Sequence, residues 1–268
     1  MSIIGRLSTE PPIRLLTRWI VKNFSKDLEA RARWNADPYP SYRLGVLRAA
    51  QRAKHAGIRE ITVAEFGVAG GVGLLALERY AHETELALGV RIDVLGFDAG
   101  SGLPDPISDY RDHPDFWMRG DFKMDFNALE KRIDRSRTRL IIGGVNKTVP
   151  ALLDAGDFSP VGFISFDLDL YSSTRDALEI LRSPKRKMLR QTLLYFDDIN
   201  FLINHRWAGE LLAIEEFNAE TTDVKIDRWY NVRGEMPFPE TPYYESMMIA
   251  HDLAAISTFV LDRPKRVL

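Results

Sequence analysis

At 268 residues the chain can form one large α/β domain, or such a domain with a helical appendage. Hydrophobic residues make up 45% and charged residues 28%, as in ordinary water-soluble globular proteins, and a formal net charge of -2 gives no support for non-specific nucleic-acid or membrane-surface binding. There is no cysteine, so disulfides, thiolate zinc sites and a cysteine nucleophile are excluded, and any metal must be held by oxygen or imidazole.

Arg6, Glu10, Arg14 and Arg18 interrupt the N-terminal stretch where a signal peptide would need an apolar core. No apolar run approaches the ~20 residues that span a bilayer, so a cytoplasmic protein with no membrane partner is expected. Residues 1–10 read as loose. From Pro12 a helical period puts Ile13, Leu16, Ile20, Phe24 and Leu28 on one side, with Arg14, Arg18, Lys22 and Lys26 among the others. Trp19 and the basic residues leave a membrane-surface helix open, but the moderate stripe favours docking on the domain or over its active site. Asp37-Pro38-Tyr39-Pro40 breaks the pattern, and Ser41 starts a helix through about His55 that ends at Gly57. Residues 1–58 are assigned to an N-terminal helical appendage and 59–268 to the main domain.

That domain opens with Ile61-Thr62-Val63-Ala64-Glu65-Phe66, a short apolar run of buried-strand type, followed by glycines at 67, 70, 71 and 73 and a helix to about residue 88. A strand over 91–98 ends on Asp98, and a long polar and aromatic segment, 99–123, follows. A helix over about 127–136 precedes a strand at 139–143, and a helix near 148–154 leads to a strand at 161–167. A helix over 173–181, a strand at 191–197, a helix near 207–219 and strands near 224–232 and 245–251 complete the pattern. The alternation predicts a doubly wound, mostly parallel, seven-stranded sheet of Rossmann-like α/β type, with one of the last two strands antiparallel because no crossover helix joins them.

In such sheets ligands bind outside the carboxyl ends of the strands, and four of these strands end in acids: Glu65, Asp98, Asp167 with Asp169, and Asp197 with Asp198. The strand, glycine turn and helix around Gly67 form a nucleotide-type site, in which the backbone turns sharply and a helix N-terminus faces the ligand. The glycines do not form G-x-G-x-x-G and no Tyr-x-x-x-Lys pair is present, which argues against an NAD-dependent oxidoreductase. What is present is Glu65-x-Gly67-x-Ala69-x-Gly71. Asp98 stands where an acid accepts ribose hydroxyls, or else forms a turn before Ala99-Gly100. Asp167-Leu168-Asp169 and Asp197-Asp198, at adjacent strand ends, either hold a hard cation or cap the structures that follow.

Glu65-x-Gly67-x-Ala69-x-Gly71 resembles motif I of class I S-adenosylmethionine (SAM) methyltransferases, with Ala at the middle glycine. The wider set of Glu65-Phe66-Gly67-Val68, Gly96-Phe97-Asp98 with Gly102-Leu103-Pro104, Trp117-x-x-Gly120-x-Phe122, Asp167-x-Asp169-x-Tyr171-x-Ser173-Thr174 and Asp197-Asp198 resembles the macrocin O-methyltransferase-like family, which methylates sugar hydroxyls in antibiotic pathways. The resemblance runs from about 61 to 220. It departs at Ala99-Gly100, where the family has Ser and an aromatic residue, in the basic linker 183–190 and in the segment after Asp198.

The resemblance implies SAM as methyl donor, bound by Glu65, Phe66, Gly67 and Gly71 of the first turn and by Asp98, Ala99, Gly143 and Asp167 of the next strand ends. It implies Mg²⁺ on Asp167, Asp197 and Asp198, and a hydroxyl of a small molecule of sugar or natural-product type as acceptor. Asp169 is the candidate general base and His205 the second, because it follows the Asp pair at loop distance. The segment 103–123 is a candidate lid, whose Phe116 and Trp117 either cover a ligand or pack the lid down. A metal-independent small-molecule methyltransferase and a non-catalytic SAM-binding module are the alternatives. Nucleic acid is not expected as a partner, because Asp197-Asp198-Ile199-Asn200 is not a base-flipping motif. A homo-oligomer is compatible with the sequence.

Overall fold

A computed structural model describes residues 12–260 apart from 202, 204 and 235. The loose stretch expected over 1–10 lies outside the described residues. The strands are β1 (Glu60–Phe66), β2 (Arg91–Asp98), β3 (Thr138–Ile142), β4 (Val161–Phe166), β5 (Met188–Phe196), β6 (Val224–Arg228) and β7 (Met247–Asp252). Every residue of β4, and every residue of β1 after Glu60, is buried, so these strands need cover on both faces and lie at the centre of the sheet. The strand order is β3-β2-β1-β4-β5-β7-β6. β1 to β5 pair in parallel, and β7 runs antiparallel to both β5 and β6. The order reverses between β1 and β4, which opens a crevice at their carboxyl ends.

The helices are α1 (Ile13–Phe24), α2 (Leu28–Arg33), α3 (Pro40–His55), α4 (Val72–Leu88), α5 (Phe126–Glu130), α6 (Val145–Ala155), α7 (Tyr171–Ala177), α8 (Glu179–Arg182), α9 (Gly209–Glu220) and α10 (Leu253–Ser257). No described helix is long and apolar enough to cross a membrane. The single helix expected from Pro12 to Leu28 is two, because Asp27 turns the chain and accepts the Glu29 amide to start α2. α1 also docks the other way round from its stripe. Ile13, Leu16, Ile20 and Phe24 face solvent at 44–71% exposure, while Arg14 donates to the Pro237 carbonyl at 3.1 Å and Arg18 to the Asn35 carbonyl at 3.1 Å. Both guanidinium groups also lie over the Phe238 ring.

The boundary drawn at residue 58 divides one packed unit. Tyr42, Val46, Ala49, Ala50 and Ala53 of α3 share a buried cluster with Ile61 and Val63 of β1, Phe163 of β4 and Leu193 of β5. Gly45 permits that approach: a Cβ there would stand 2.4 Å from two carbons of the Phe163 ring. The small side of α3 therefore faces the sheet, and its burial makes the helix part of the layer over β1, β4 and β5.

Gly45→Val would force a β-branched side chain against Phe163. We expect a loss of about 2–3 kcal/mol in urea unfolding, the upper part of the range for overpacked cores. An unchanged midpoint would show that α3 does not press on β4.

Candidate functional site

Four parallel strands carry phenylalanine at their last position, or in β2 at the last but one, in matching register: Phe66 opposite Phe97 and Phe166, and Phe166 opposite Phe196. Their rings form one stacked row, with centroids 4.3 Å apart for Phe66–Phe97, 5.3 Å for Phe66–Phe166 and 4.6 Å for Phe166–Phe196. The next residue of each strand, Gly67, Asp98, Asp167 and Asp197, therefore emerges at one level. Backbone bonds carry the ladder to that level, with the Asp167 amide donating to the Phe66 carbonyl and the Asp197 amide to the Phe166 carbonyl. Phe66 itself, expected to contact a cofactor, is fully buried in this row and does not line the cavity above it.

Above the row lies a cavity of about 190 Å³, lined by Gly67, Ala69, Asp98, Ala99, Gly143, Asp167 and Asp169 together with Leu103, Pro104 and Phe122 of the 103–123 segment. No lysine or arginine lines it. Gly67, at φ +85°, cannot carry a side chain, because a Cβ would meet the Asp167 carbonyl oxygen at 1.7 Å. Ala69, at the position of the middle motif glycine, adopts φ +43°, a conformation that costs an L-residue roughly 1–2 kcal/mol. Gly71, at φ +78°, starts α4 and packs against Leu129 rather than lining the cavity. Its glycine serves the turn.

Asp98 lines the cavity and also holds the glycine turn in place. Its Oδ2 accepts the amides of Val68 and Ala69, each at 2.9 Å, and its Oδ1 accepts that of Gly100 at 2.6 Å. A carboxylate has about four lone-pair positions, so acceptor capacity remains for a ligand hydroxyl.

Glu65 lies below the glycine turn, outside the cavity lining. It is buried, and a Cβ on Gly73 would stand 2.1 Å from its Oε1. Tyr42 of α3 donates to Oε1 at 2.6 Å and accepts from the Ser165 hydroxyl at 2.9 Å. Oε2 is buried without a hydrogen-bond partner. Burial, only partly offset by the Tyr42 bond and reinforced by the Asp98 and Asp197 charges, pushes the Glu65 pKa up to about 8. Oε2 is thus a buried acceptor that a nearby cation would stabilise.

One oxygen from each of Asp167, Asp169 and Asp198 lies within 4.8 Å of the others. Asp169 adopts φ +61° and donates its amide to Asp198 Oδ2 at 3.1 Å, which ties the two strand ends together. Burial, then the neighbouring carboxylates, raises the Asp167 pKa to about 9, the Asp169 pKa to about 8 and the Asp198 pKa to about 6. Hard oxygen donors this close suit Mg²⁺ or a similar cation. Of the expected set of Asp167, Asp197 and Asp198, the first and last fall in this cluster. Asp197 is exposed and accepts the Tyr195 hydroxyl, while Asp169 takes its place in the cluster. His205 stays outside this group. It is exposed, and its ring meets that of His113 edge-on at 5.3 Å.

Tyr42 and Glu210 escaped the sequence reading. Glu210, in the first turn of α9, is buried and accepts the Asp198 amide at 3.1 Å, and burial raises its pKa well above the usual range. An acid at a helix start reads from sequence as a dipole partner, so only the fold reveals that it supports Asp198. The 103–123 segment is anchored at its middle. Asp112, fully buried, accepts the amide and hydroxyl of Ser172 at 2.8 and 2.7 Å, which caps α7. Its Phe116 and Trp117 pack against Phe201 of the segment after Asp198.

No protein-family model matches the sequence, and no curated protein matches it. Solved structures do. CalS11, a calicheamicin methyltransferase, is 21% identical with a TM-score of 0.51 over 77% of this chain and 84% of that one. The O-methyltransferase NovP is 20% identical with a TM-score of 0.51 over 81% of this chain and 91% of that one. The chain has the class I SAM methyltransferase fold, with a mostly parallel seven-stranded sheet.

The raised acid pKa values set a pH dependence. The native state holds the Asp169 proton more tightly than the unfolded chain does. That contribution to stability is complete below about pH 4 and is lost as pH rises toward 8. Without divalent cations, Asp169→Asn should therefore gain thermal stability relative to the parent protein as pH rises from 5 to 9. A difference that does not change with pH would rule out this placement of Asp169.

Proposed function

We propose that the chain is a SAM-dependent methyltransferase acting on a hydroxyl of a small molecule of sugar or natural-product type, assisted by Mg²⁺. The observation that carries the reading is the gathering of Asp167, Asp169 and Asp198 at the edge of a cavity built on the Glu65–Gly71 turn. The names of the similar structures, a calicheamicin methyltransferase and an O-methyltransferase, support it. When bound, SAM supplies an electrophilic sulfonium methyl and Mg²⁺ a Lewis acid that lowers the pKa of a hydroxyl.

The chain's own residues divide the work. Glu65 Oε2 takes the ammonium of the donor, directly or through water, and Tyr42 keeps the Glu65 carboxylate in place. Asp98 offers its remaining lone pairs to ribose hydroxyls while the glycine turn, Ala99 and Gly143 admit the nucleoside. Asp167 and Asp198 would hold the cation. Asp169 Oδ, beside the two cation-holding carboxylates, accepts the hydroxyl proton of the acceptor. The Leu103–Phe122 wall excludes water, and the main requirement left is alignment of the acceptor oxygen with the methyl group.

The test is calorimetric titration with SAM, with and without Mg²⁺, followed by a screen of hydroxylated acceptors for gain of one methyl mass. Asp167→Ala should lose transfer while keeping SAM affinity within about threefold, because a uniform binding loss would change both. Full activity of that variant in the presence of a chelator would overturn the metal role, and dinucleotide binding in place of SAM would overturn the whole reading. Tyr42→Phe removes a hydrogen bond to a charged group, roughly 1.5–3 kcal/mol, and should weaken SAM binding at least tenfold. Unaltered affinity would remove Glu65 from the donor site.

A further inference from the structure

At the opposite end of the sheet from the proposed active site, the last two turns of α3 and the first residues of β5 enclose a second cavity, of about 390 Å³. Arg48, Arg52 and His55 project into it from the helix, and Arg190 from the strand. No carboxylate lines it. Arg48 forms an ion pair with Glu29 of α2. Arg52 and Arg190 have no ion-pair partner among the described residues. Arg52 is half-buried and donates only to the amide oxygen of Gln191, and Arg190 lies over the Phe259 ring with its guanidinium 3.4 Å from the centroid.

The charge balance is unfavourable as it stands. The carbonyl end of α3 offers about half an elementary negative charge, against two guanidinium groups. Burial lowers the Arg52 pKa, and the charge of Arg48 lowers it further. His251, on the neighbouring β7, is pushed down by burial and again by Arg52, opposed by Asp227. A desolvated cation with another cation as its charged neighbour gains from an anion placed between them. The guanidinium fork matches two phosphate oxygens at once. Ala56, Ile58, Met188 and Leu189 form the apolar part of the wall.

We infer that this cavity is a binding site for a phosphoryl anion, either free pyrophosphate or the diphosphate of a nucleotide, held by Arg52, Arg190 and His55. The inference is independent of the methyltransferase reading, since none of these residues belongs to the strand-end site. It is tested by titrating the full chain at low ionic strength with inorganic pyrophosphate and, separately, with uridine diphosphate. A dissociation constant below millimolar for either, weakened at least tenfold in Arg52→Gln and by raised salt, is the expected result. Tighter binding of uridine diphosphate assigns the site to a nucleotide, and equal or weaker binding assigns it to the free anion. If Arg52→Gln fails to fold, Arg190→Gln, whose side chain only stacks on Phe259, must show the same loss. Absence of binding at millimolar concentration, or affinity unchanged in the folded variants, overturns the inference.

Discussion

The row of stacked phenylalanines beneath the strand ends is the constraint on which the site depends. Phe66, Phe97, Phe166 and Phe196 lie on one face of a parallel sheet, in register, with interplanar angles of 14° or less. A one-residue slip of any strand would turn its ring to the other face and its following residue away from the crevice. The hydrophobic core and the alignment of Gly67, Asp98, Asp167 and Asp197 are thus one packing solution. Register, usually discussed as a matter of stability, here sets where the functional groups stand.

Packing that draws acids together also creates a repulsion. Asp167, Asp169 and Asp198 approach closely in a half-dry setting, with Glu210 buried beneath them and no arginine or lysine lining the adjoining cavity. Protons or a divalent cation can relieve that repulsion. The raised pKa values and the geometry suited to a hard cation are two consequences of the same crowding. Backbone amides do the rest of the positioning. The Asp169 amide binds Asp198, the Asp198 amide binds Glu210, and three amides bind Asp98. These bonds hold the carboxylates without adding the positive charge that would compete for a ligand.

α3 connects the two ends of the molecule. At its start, Tyr42 reaches Glu65 and Ser165 under the glycine turn. In its middle, Gly45 admits Phe163, and at its end Arg52 and His55 enter the second cavity. A helix that looked like part of an appendage therefore belongs to the domain's cover layer and holds the Glu65 carboxylate. α1 and α2 are held differently, by arginine contacts to carbonyls, carboxylates and the Phe238 ring. The outward apolar stripe of α1 shows that helical periodicity identifies a face without saying which way it turns.

By itself, the sequence determined the local order of elements, because each is written in short-range terms. The apolar runs of β1, β2, β4 and β5 read as buried strands, and the alternation with helices implied a parallel sheet with an antiparallel end. The acids that close each strand followed from their position in the chain, as did the glycine turn around Gly67. Only the tertiary structure decided which acids meet. Asp169 joins Asp167 and Asp198 because a left-handed turn at position 169 and its amide bond to Asp198 swing it inward, while Asp197 turns outward to Tyr195. It also decided that Phe66 and Gly71 support the site from the core and the turn, that His205 faces His113, and that Tyr42 and Glu210 belong beneath the strand ends. Periodicity records which side of an element is apolar. Contacts between residues 23, 29 or 123 positions apart depend on how elements are stacked, and no local pattern carries that.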